Sequence, residues 1–338
     1  MNEPKVTIGR VTIRTVAQDA GVSVAAVSKV MRNAYGVSEA LRQNVLASIA
    51  RLNYRPSNAA RGMRGQTYTI GVLLVGIDNP FLPQVFAGIA SVADTSGYKI
   101  LMGVGAARMP MEAQLIEQMI DSHMDGIVLI AAQLSGKLME KYARQIPIAV
   151  IGHHEPTAAT FDTVNSNDAL GAKIAVQALL AKGYRDIAMV ALGPYRPQDH
   201  YDVSTQRELG FQAAMEAAGL PPKIHRFDNF DTARHGKITS FLSGPDRPRA
   251  LFVWSDLDGI PILNVARQIG LRVPDDLALI AYDNSPVAAL PLIDLASMDQ
   301  FGHRLGQLAT EALLTRIGGR SQALHVLIDP SLTIRSSF

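Results

Sequence analysis

Apolar positions between residues 11 and 52 recur at helical spacing, whereas after residue 67 they gather into unbroken runs of strand length. Ile13, Val16, Ala17 and Ala20 fall at i, i+3, i+4 and i+7, the inner face of a helix that Thr12 is placed to cap. Gly21 suits the left-handed residue that ends such a helix, and Ser23 caps a second one. In that second helix Val27, Val30 and Met31 point back at the first, while Val24, Ala25, Ser28, Lys29 and Arg32 form the opposite face. A third helix fits residues 38–52, with Leu41, Val45, Ile49 and Leu52 inward, and Pro56 prevents its continuation. Helix, glycine-containing turn, helix and supporting helix make the helix-turn-helix pattern, whose second helix enters a DNA major groove.

From residue 67 the runs IGVLLV, KILMGV, GIVLI, PIAVIG, DIAMVAL, KIHRF, ALFVW and LALIAY predict strands. Helical patterns lie between them, near 82–96, 111–123, 136–145, 168–182, 204–218, 232–242 and 257–269. Continuous apolar strands separated by helices predict parallel sheets covered on both faces, an α/β architecture. GYKILM at 97 and GYRDIAM at 183 open two comparable blocks, so two Rossmann-like subdomains are expected. The first takes about 67–166 and 300–326, the second about 167–297 and 327–338. Several crossings between them make a hinged cleft, and ligands of open parallel sheets sit beyond the carboxyl ends of the strands.

Charge sharpens the division. Residues 1–65 hold ten of the 32 Lys and Arg but three of the 30 acids, leaving 22 basic against 27 acidic residues in the remainder. A basic head on an acidic body is the electrostatic footprint of a polyanion-binding protein. The chain has no cysteine, which removes disulfides and thiolate chemistry. Its apolar runs are shorter than the roughly 18–20 residues of a membrane span, and no secretion signal opens the sequence, so a cytoplasmic location without membrane contact is expected.

The strand ends supply candidate ligand contacts: Asp78, Asn79 and Phe81 after the first run, then Arg207, Phe230, Ser255, Asp256, Asp283 and Gln300. An arginine, a carboxylate and aromatic walls suit a neutral hydroxylated molecule such as a sugar, with charged groups on hydroxyls and rings on C–H faces. Asp256 reads as structural.

VTIRTVAQDAGVSVAAVSKVMRN and VSEALRQNVLASIARLNYRPSNAARGMRG resemble the head of LacI/GalR-type bacterial transcriptional regulators. The similarity continues through IGVLLVGIDNPF, MDGIVLI, IPIAVIGHH, QRELGFQAAMEAAGLPP and VPDDLALIAYDNSP, across almost the whole chain. The resemblance implies a helix-turn-helix domain over 1–56, a hinge over 57–66 and a periplasmic-binding-protein-like effector and dimerisation domain over 67–338. It also implies a homodimer that represses transcription from a near-palindromic double-stranded operator under control of a sugar-like effector, with no cofactor. By resemblance Val24, Ala25 and Lys29 read base edges, and Thr12, Ser23, Ser28, Asn33 and Tyr54 hold phosphates. Lys29 replaces the family's more usual arginine, exchanging a planar fork for a flexible point donor. Asn58 caps the short hinge helix, and Met63, where leucine is usual, is the apolar wedge expected to enter the minor groove. Arg207 and Asp283 are the leading effector contacts, followed by Phe81, Phe230, Ser255 and Gln300. Ser255 departs from the family's asparagine, and Gly152 stands where many relatives have aspartate.

Two other classes weigh less. The body alone resembles periplasmic sugar receptors, but the basic head and the lack of an export signal oppose a pure solute-binding protein. A doubly wound enzyme has little support: no HExxH motif occurs, no nucleophile has a visible base, and GVGAAR lacks the third glycine of a dinucleotide fingerprint. Adjacent His153 and His154 on a strand would point to opposite faces and form no chelate. Neither a catalytic residue nor a metal ligand is expected.

Overall fold

The computed structural model describes residues 11–31, 34–55, 65–193, 201–228 and 232–338. The chain divides into two compact units, Met1–Thr67 and Tyr68–Phe338.

The first unit is helical: α1 (Ile13–Asp19), α2 (Val24–Met31) and α3 (Glu39–Arg51). Thr12 and Thr15 cap α1 reciprocally, each backbone N–H donating to the other's hydroxyl at 3.2 and 3.3 Å, with threonine in the place a capping box usually gives Glu or Gln. Gly21 takes φ +65° at the turn. Ser23 accepts from Ala26 N at 3.1 Å, and Ser38 accepts from Leu41 N at 3.3 Å. Val16, Val27 and Val45 are fully buried at the centre. Each such side chain contributes roughly 1.5–3 kcal/mol, whereas the exposed, solvent-screened Arg51–Asp19 ion pair adds little. The apolar core therefore holds these helices. Asn44 fixes their register by donating to the Ala20 carbonyl, a C-terminal acceptor of α1, at 2.8 Å.

The second unit contains two six-stranded sheets. The first lobe uses β1 (Thr69–Leu74), β2 (Lys99–Val104), β3 (Gly126–Ile130), β4 (Ile148–Ile151), β5 (Asp162–Ser166) and β11 (His325–Ile328). Their order is β11-β5-β4-β3-β1-β2, and every pairing is parallel. The second lobe uses β6 (Ile187–Leu192), β7 (Lys223–Phe227), β8 (Ala250–Val253), β9 (Ala278–Tyr282), β10 (Ser297–Asp299) and β12 (Ser331–Thr333). Its order is β12-β10-β9-β8-β6-β7, and only the β12–β10 pairing is antiparallel. Separate apolar clusters fill the two faces of each sheet, which is why the central strands read as continuous apolar runs.

Helices α4 (Leu82–Thr95), α5 (Met109–Asp121) and α6 (Gly136–Ala143) follow β1, β2 and β3. Helices α7 (Asp168–Ala181), α8 (Val203–Ala217), α9 (Arg234–Ser243) and α10 (Asp256–Gln268) serve the second lobe, and α11 (Gly302–Ile317) returns to the first. Leu327 and Ile328, expected in the second lobe, pair instead with Asn165 and Ser166 of the first sheet, so the last crossing follows Ile328. Backbone contact between α4 and α11 is close: a Cβ on Gly88 would lie 1.9 Å from the His303 carbonyl oxygen, and one on Gly306 2.0 Å from that of Val85. Buried Asp162 fastens α11 to β5, accepting from Arg316 and Arg320 at 2.6 Å each.

Candidate functional site

The first unit displays one face of α2. Thr12, Ser23, Val24, Ala25 and Lys29 are exposed and Ser28 is half-buried, while Val27 and Val30 on the reverse side are buried. Val24, an apolar side chain 36 % exposed at the start of α2, contributes nothing to the helical core. Tyr54 differs from the other expected phosphate contacts: at 9 % exposure it packs in that core, so its first role is structural. Asn33, Asn58 and Met63 lie outside the described residues.

In the second unit the strand ends of both lobes converge. Asp283 follows β9, buried and with φ +108°, a conformation that L side chains rarely adopt. Gln300 Nε2 donates to its Oδ1 at 2.6 Å, and Asn79, beyond β1 of the first lobe, donates to its Oδ2 at 3.2 Å. Arg207 of α8, 2 % exposed, reaches the same Oδ1 at 3.8 Å. Its Nε donates to Asp168 at 2.7 Å, its Nη1 donates to the Trp254 carbonyl, and its guanidinium carbon lies 3.6 Å from the ring centroid of Tyr282. Asp168, at the start of α7, meets His154 Nε2 at 2.7 Å through its other oxygen.

Burial pushes the Asp283 carboxyl up to about 7, with Asp256 and Asp168 adding to the shift and Arg207 and Asn79 opposing it. Burial also acts against the charge of Asp168, but Arg207 and His154 outweigh it and hold that carboxyl below its ordinary range. Asp256, raised by burial to about 6, accepts from the Ser297 hydroxyl at 2.6 Å and Ser285 N at 2.7 Å, a structural brace.

Other expected contacts are less accessible. Phe81 caps α4 and packs in the first-lobe core, directly over Gly302. Ser255 is fully buried and donates to Asp258 at 3.0 Å, while Asp258 also pairs with Arg234. Phe230 lies outside the described residues. Asp168, His154, Trp254 and Asn79 complete the cluster. Asp168 has the sequence signature of a helix N-terminus, and nothing in a single sequence pairs it with an arginine 39 positions away. Trp254 ends an apolar run, and its indole Nε1 is buried without a hydrogen-bond partner.

The two histidines lie just beyond β4. His153 pairs with Glu155 at 2.9 Å and bridges to Asp202, and His154 N donates to the Tyr201 carbonyl at 2.7 Å. The His153–Asp202 bridge and the His154–Tyr201 bond clasp the first lobe to the segment leading into α8. Among the described residues no group of three His, Cys, Asp or Glu side chains is placed to hold a metal, and no helix is long and apolar enough to cross a membrane.

Known proteins share this organisation. Residues 12–57 match the family of bacterial regulatory proteins, lacI family, and residues 176–338 match a periplasmic binding protein-like domain. A ribose operon repressor of Escherichia coli strain K12 is 31% identical over 334 residues, spanning 96% of this chain and 99% of its own. A solved complex of the transcriptional regulator CelR with cellobiose is 26% identical, with TM-score 0.71 over 97% of this chain and 100% of that one. The lac repressor dimer bound to operator and the anti-inducer ONPF shares the fold, with TM-score 0.81 at 22% identity over 97% of this chain and 99% of that one.

Proposed function

The chain belongs to the lacI family of bacterial regulatory proteins, a transcription regulator and not an enzyme, and from that premise we propose that it is a homodimeric repressor released or recruited by a sugar-like effector. The exposed side of α2 enters the major groove of double-stranded operator DNA. Val24 and Ala25 meet apolar base features such as a thymine methyl, and Lys29 reaches a base acceptor. Thr12, Ser23, Ser28, Asn33 and the edge of Tyr54 hold phosphates, which set register without reading sequence. Asn58 and Met63 belong to a hinge that orders on the operator, with Met63 as its wedge.

The effector occupies the polar cluster between the lobes. Arg207, Asp283 and Gln300 provide its hydrogen bonds, and Phe81, Phe230 and Ser255 border it. Relatives named for the ribose operon and for a cellobiose complex favour a carbohydrate. One observation carries the regulatory reading: Asp283 of the second lobe is bonded at once by Asn79 of the first lobe and by Gln300 at the return crossing. A ligand that replaces either bond changes how the lobes are fastened, and so the spacing of the paired hinges. Linkage then makes DNA and effector affinities reciprocal, typically by about 1–3 kcal/mol.

Fluorescence anisotropy of the full chain on its own upstream DNA, against a scrambled duplex, tests the proposal with D-ribose and cellobiose varied. Expected are preference for the upstream duplex, a steep loss with salt, and an effector-dependent shift. Equal affinity for both duplexes under all conditions would refute the repressor reading.

A further inference from the structure

Every partner that the structure gives the guanidinium of Arg207 is electron-rich. Asp168 accepts from Nε at 2.7 Å, Asp283 stands 3.8 Å from Nη1, the Trp254 carbonyl accepts from Nη1, and the Tyr282 ring lies 3.6 Å from the guanidinium carbon. Two buried carboxylates thus face one cation, and a third, Asp256, is near enough to raise Asp283 further. Among the described residues two further arginines of the second lobe are already engaged: Arg234 pairs with Asp258, and Arg335 donates to Asn284 Oδ1 at 2.6 Å and to the Leu295 carbonyl at 2.7 Å. We infer that the cleft selects uncharged ligands and rejects phosphorylated or carboxylated ones, with Arg207 acting as the buried counter-ion of Asp168 and Asp283 rather than as an anion receptor. This inference rests on the effector reading given above.

The chemistry follows from the donor and acceptor inventory. A hydroxyl donates to a carboxylate and accepts from a guanidinium at once, so a polyol inserts into this cluster without breaking its charge balance. A phosphate only accepts at these positions. It must displace Asp168 or Asp283 from Arg207, and the displaced carboxylate, 1–3 % exposed, then faces the incoming anion. Like-charge juxtaposition in a desolvated site disfavours binding by on the order of a hundredfold or more.

Trp254 supplies the readout, because it is the only tryptophan in the chain and its ring lies 6.0 Å from the Arg207 guanidinium carbon. D-ribose, D-ribose 5-phosphate and inorganic phosphate are titrated into the full chain at constant ionic strength and at about pH 8, where Asp283 carries its charge, following Trp254 emission and the thermal midpoint. Neither phosphate-bearing probe is expected to give a saturable change with the unsubstituted protein. Asp168→Asn leaves Arg207 Nε without its counter-ion and should gain saturable binding of inorganic phosphate, tightened at least about tenfold. Asp283→Asn should do the same and decides the matter if Asp168→Asn fails to fold. Saturable binding of either phosphate probe by the unsubstituted protein overturns the inference, as does an unchanged phosphate response in a folded variant. Because inorganic phosphate is the deciding probe, the result does not depend on which sugar regulates the protein. Loss of the regulatory reading would appear separately, as operator binding that no sugar alters.

Discussion

Gly306→Ala sets two physical effects against each other. Gly306 lies within α11, where alanine is preferred to glycine by roughly 1 kcal/mol on intrinsic propensity. Its added Cβ, however, would stand 2.0 Å from the Val85 carbonyl oxygen and 2.9 Å from Ile89 N, both backbone atoms of α4. Ordinary contact needs about 3.5 Å, so α4 and α11 must part by more than about 1 Å along a tightly packed face. Overpacking of this kind costs about 1–3 kcal/mol or more, and with rigid backbone as the obstacle the upper end applies. The expected net change is a destabilisation of about 2 kcal/mol, read as a lowered urea midpoint at constant m-value. Gly236→Ala is the control: Gly236 lies inside α9, and a methyl group there would have nothing within 4 Å, so propensity acts alone and stability should rise by about 0.5–1 kcal/mol. The site should register the first substitution too, since Asn79 and Phe81 precede α4 while Gln300 precedes α11. Parting the helices moves Asn79 relative to Gln300, so the effector response should fall more than DNA affinity. A Gly306→Ala protein as stable as its parent, or a destabilised Gly236→Ala protein, would refute this reasoning.

Lys29→Ala should weaken binding to the specific operator by about 1–3 kcal/mol and relax preference at one base position, measured by anisotropy on single-base operator variants. Asp162→Asn should destabilise the second unit by about 3–5 kcal/mol in urea unfolding, because it leaves Arg316 and Arg320 without their shared buried carboxylate. Stability should also depend on pH through Asp283. Its carboxyl is raised by burial from 3.8 to about 7, so the folded state holds a proton that the unfolded state has lost, and this contribution disappears as pH rises from about 4 through 7. Burial lowers His153 and His225, which act in the opposite sense below their ordinary value of 6.5. The diagnostic is therefore the difference from Asp283→Asn: thermal midpoints of the two proteins should diverge in favour of the variant between about pH 4 and pH 7. A constant difference across that range would contradict the shift.

How much was legible in the sequence depended on whether apolar side chains carried the element. The helices α1 to α3, with Val16, Val27 and Val45 at regular spacing, and the Val- and Ile-rich strands β1, β3 and β4 announce themselves. Strand β5, DTVNS, does not: it is fully buried yet polar. Tertiary bonds sustain it, with Asp162 under two arginines, Asn165 accepting from Gly152 and His153, and Ser166 against the Tyr282 hydroxyl. No periodicity signals such a strand. The site divides in the same way. Asp283 and Gln300 follow from strand ends and resemblance and Arg207, inside α8, from resemblance, whereas Asp168 looks like helix-start chemistry, and His154 belongs to a pair weighed as catalytic or metal-binding and set aside. Their roles come from a side-chain network that exists only once both lobes have folded.

The backbone of Asp283, held at φ +108°, has a consequence for anyone improving this protein. Such conformations typically store about 1–3 kcal/mol, a strain that glycine would relieve only by leaving Arg207, Asn79 and Gln300 without their buried acceptor. Glycine there would remove the carboxylate that joins Asn79, Gln300 and Arg207, and on the proposed function would uncouple operator binding from the effector, whichever way the effector acts. A library screened for robustness should therefore be read at this position for effector response as well as for melting temperature.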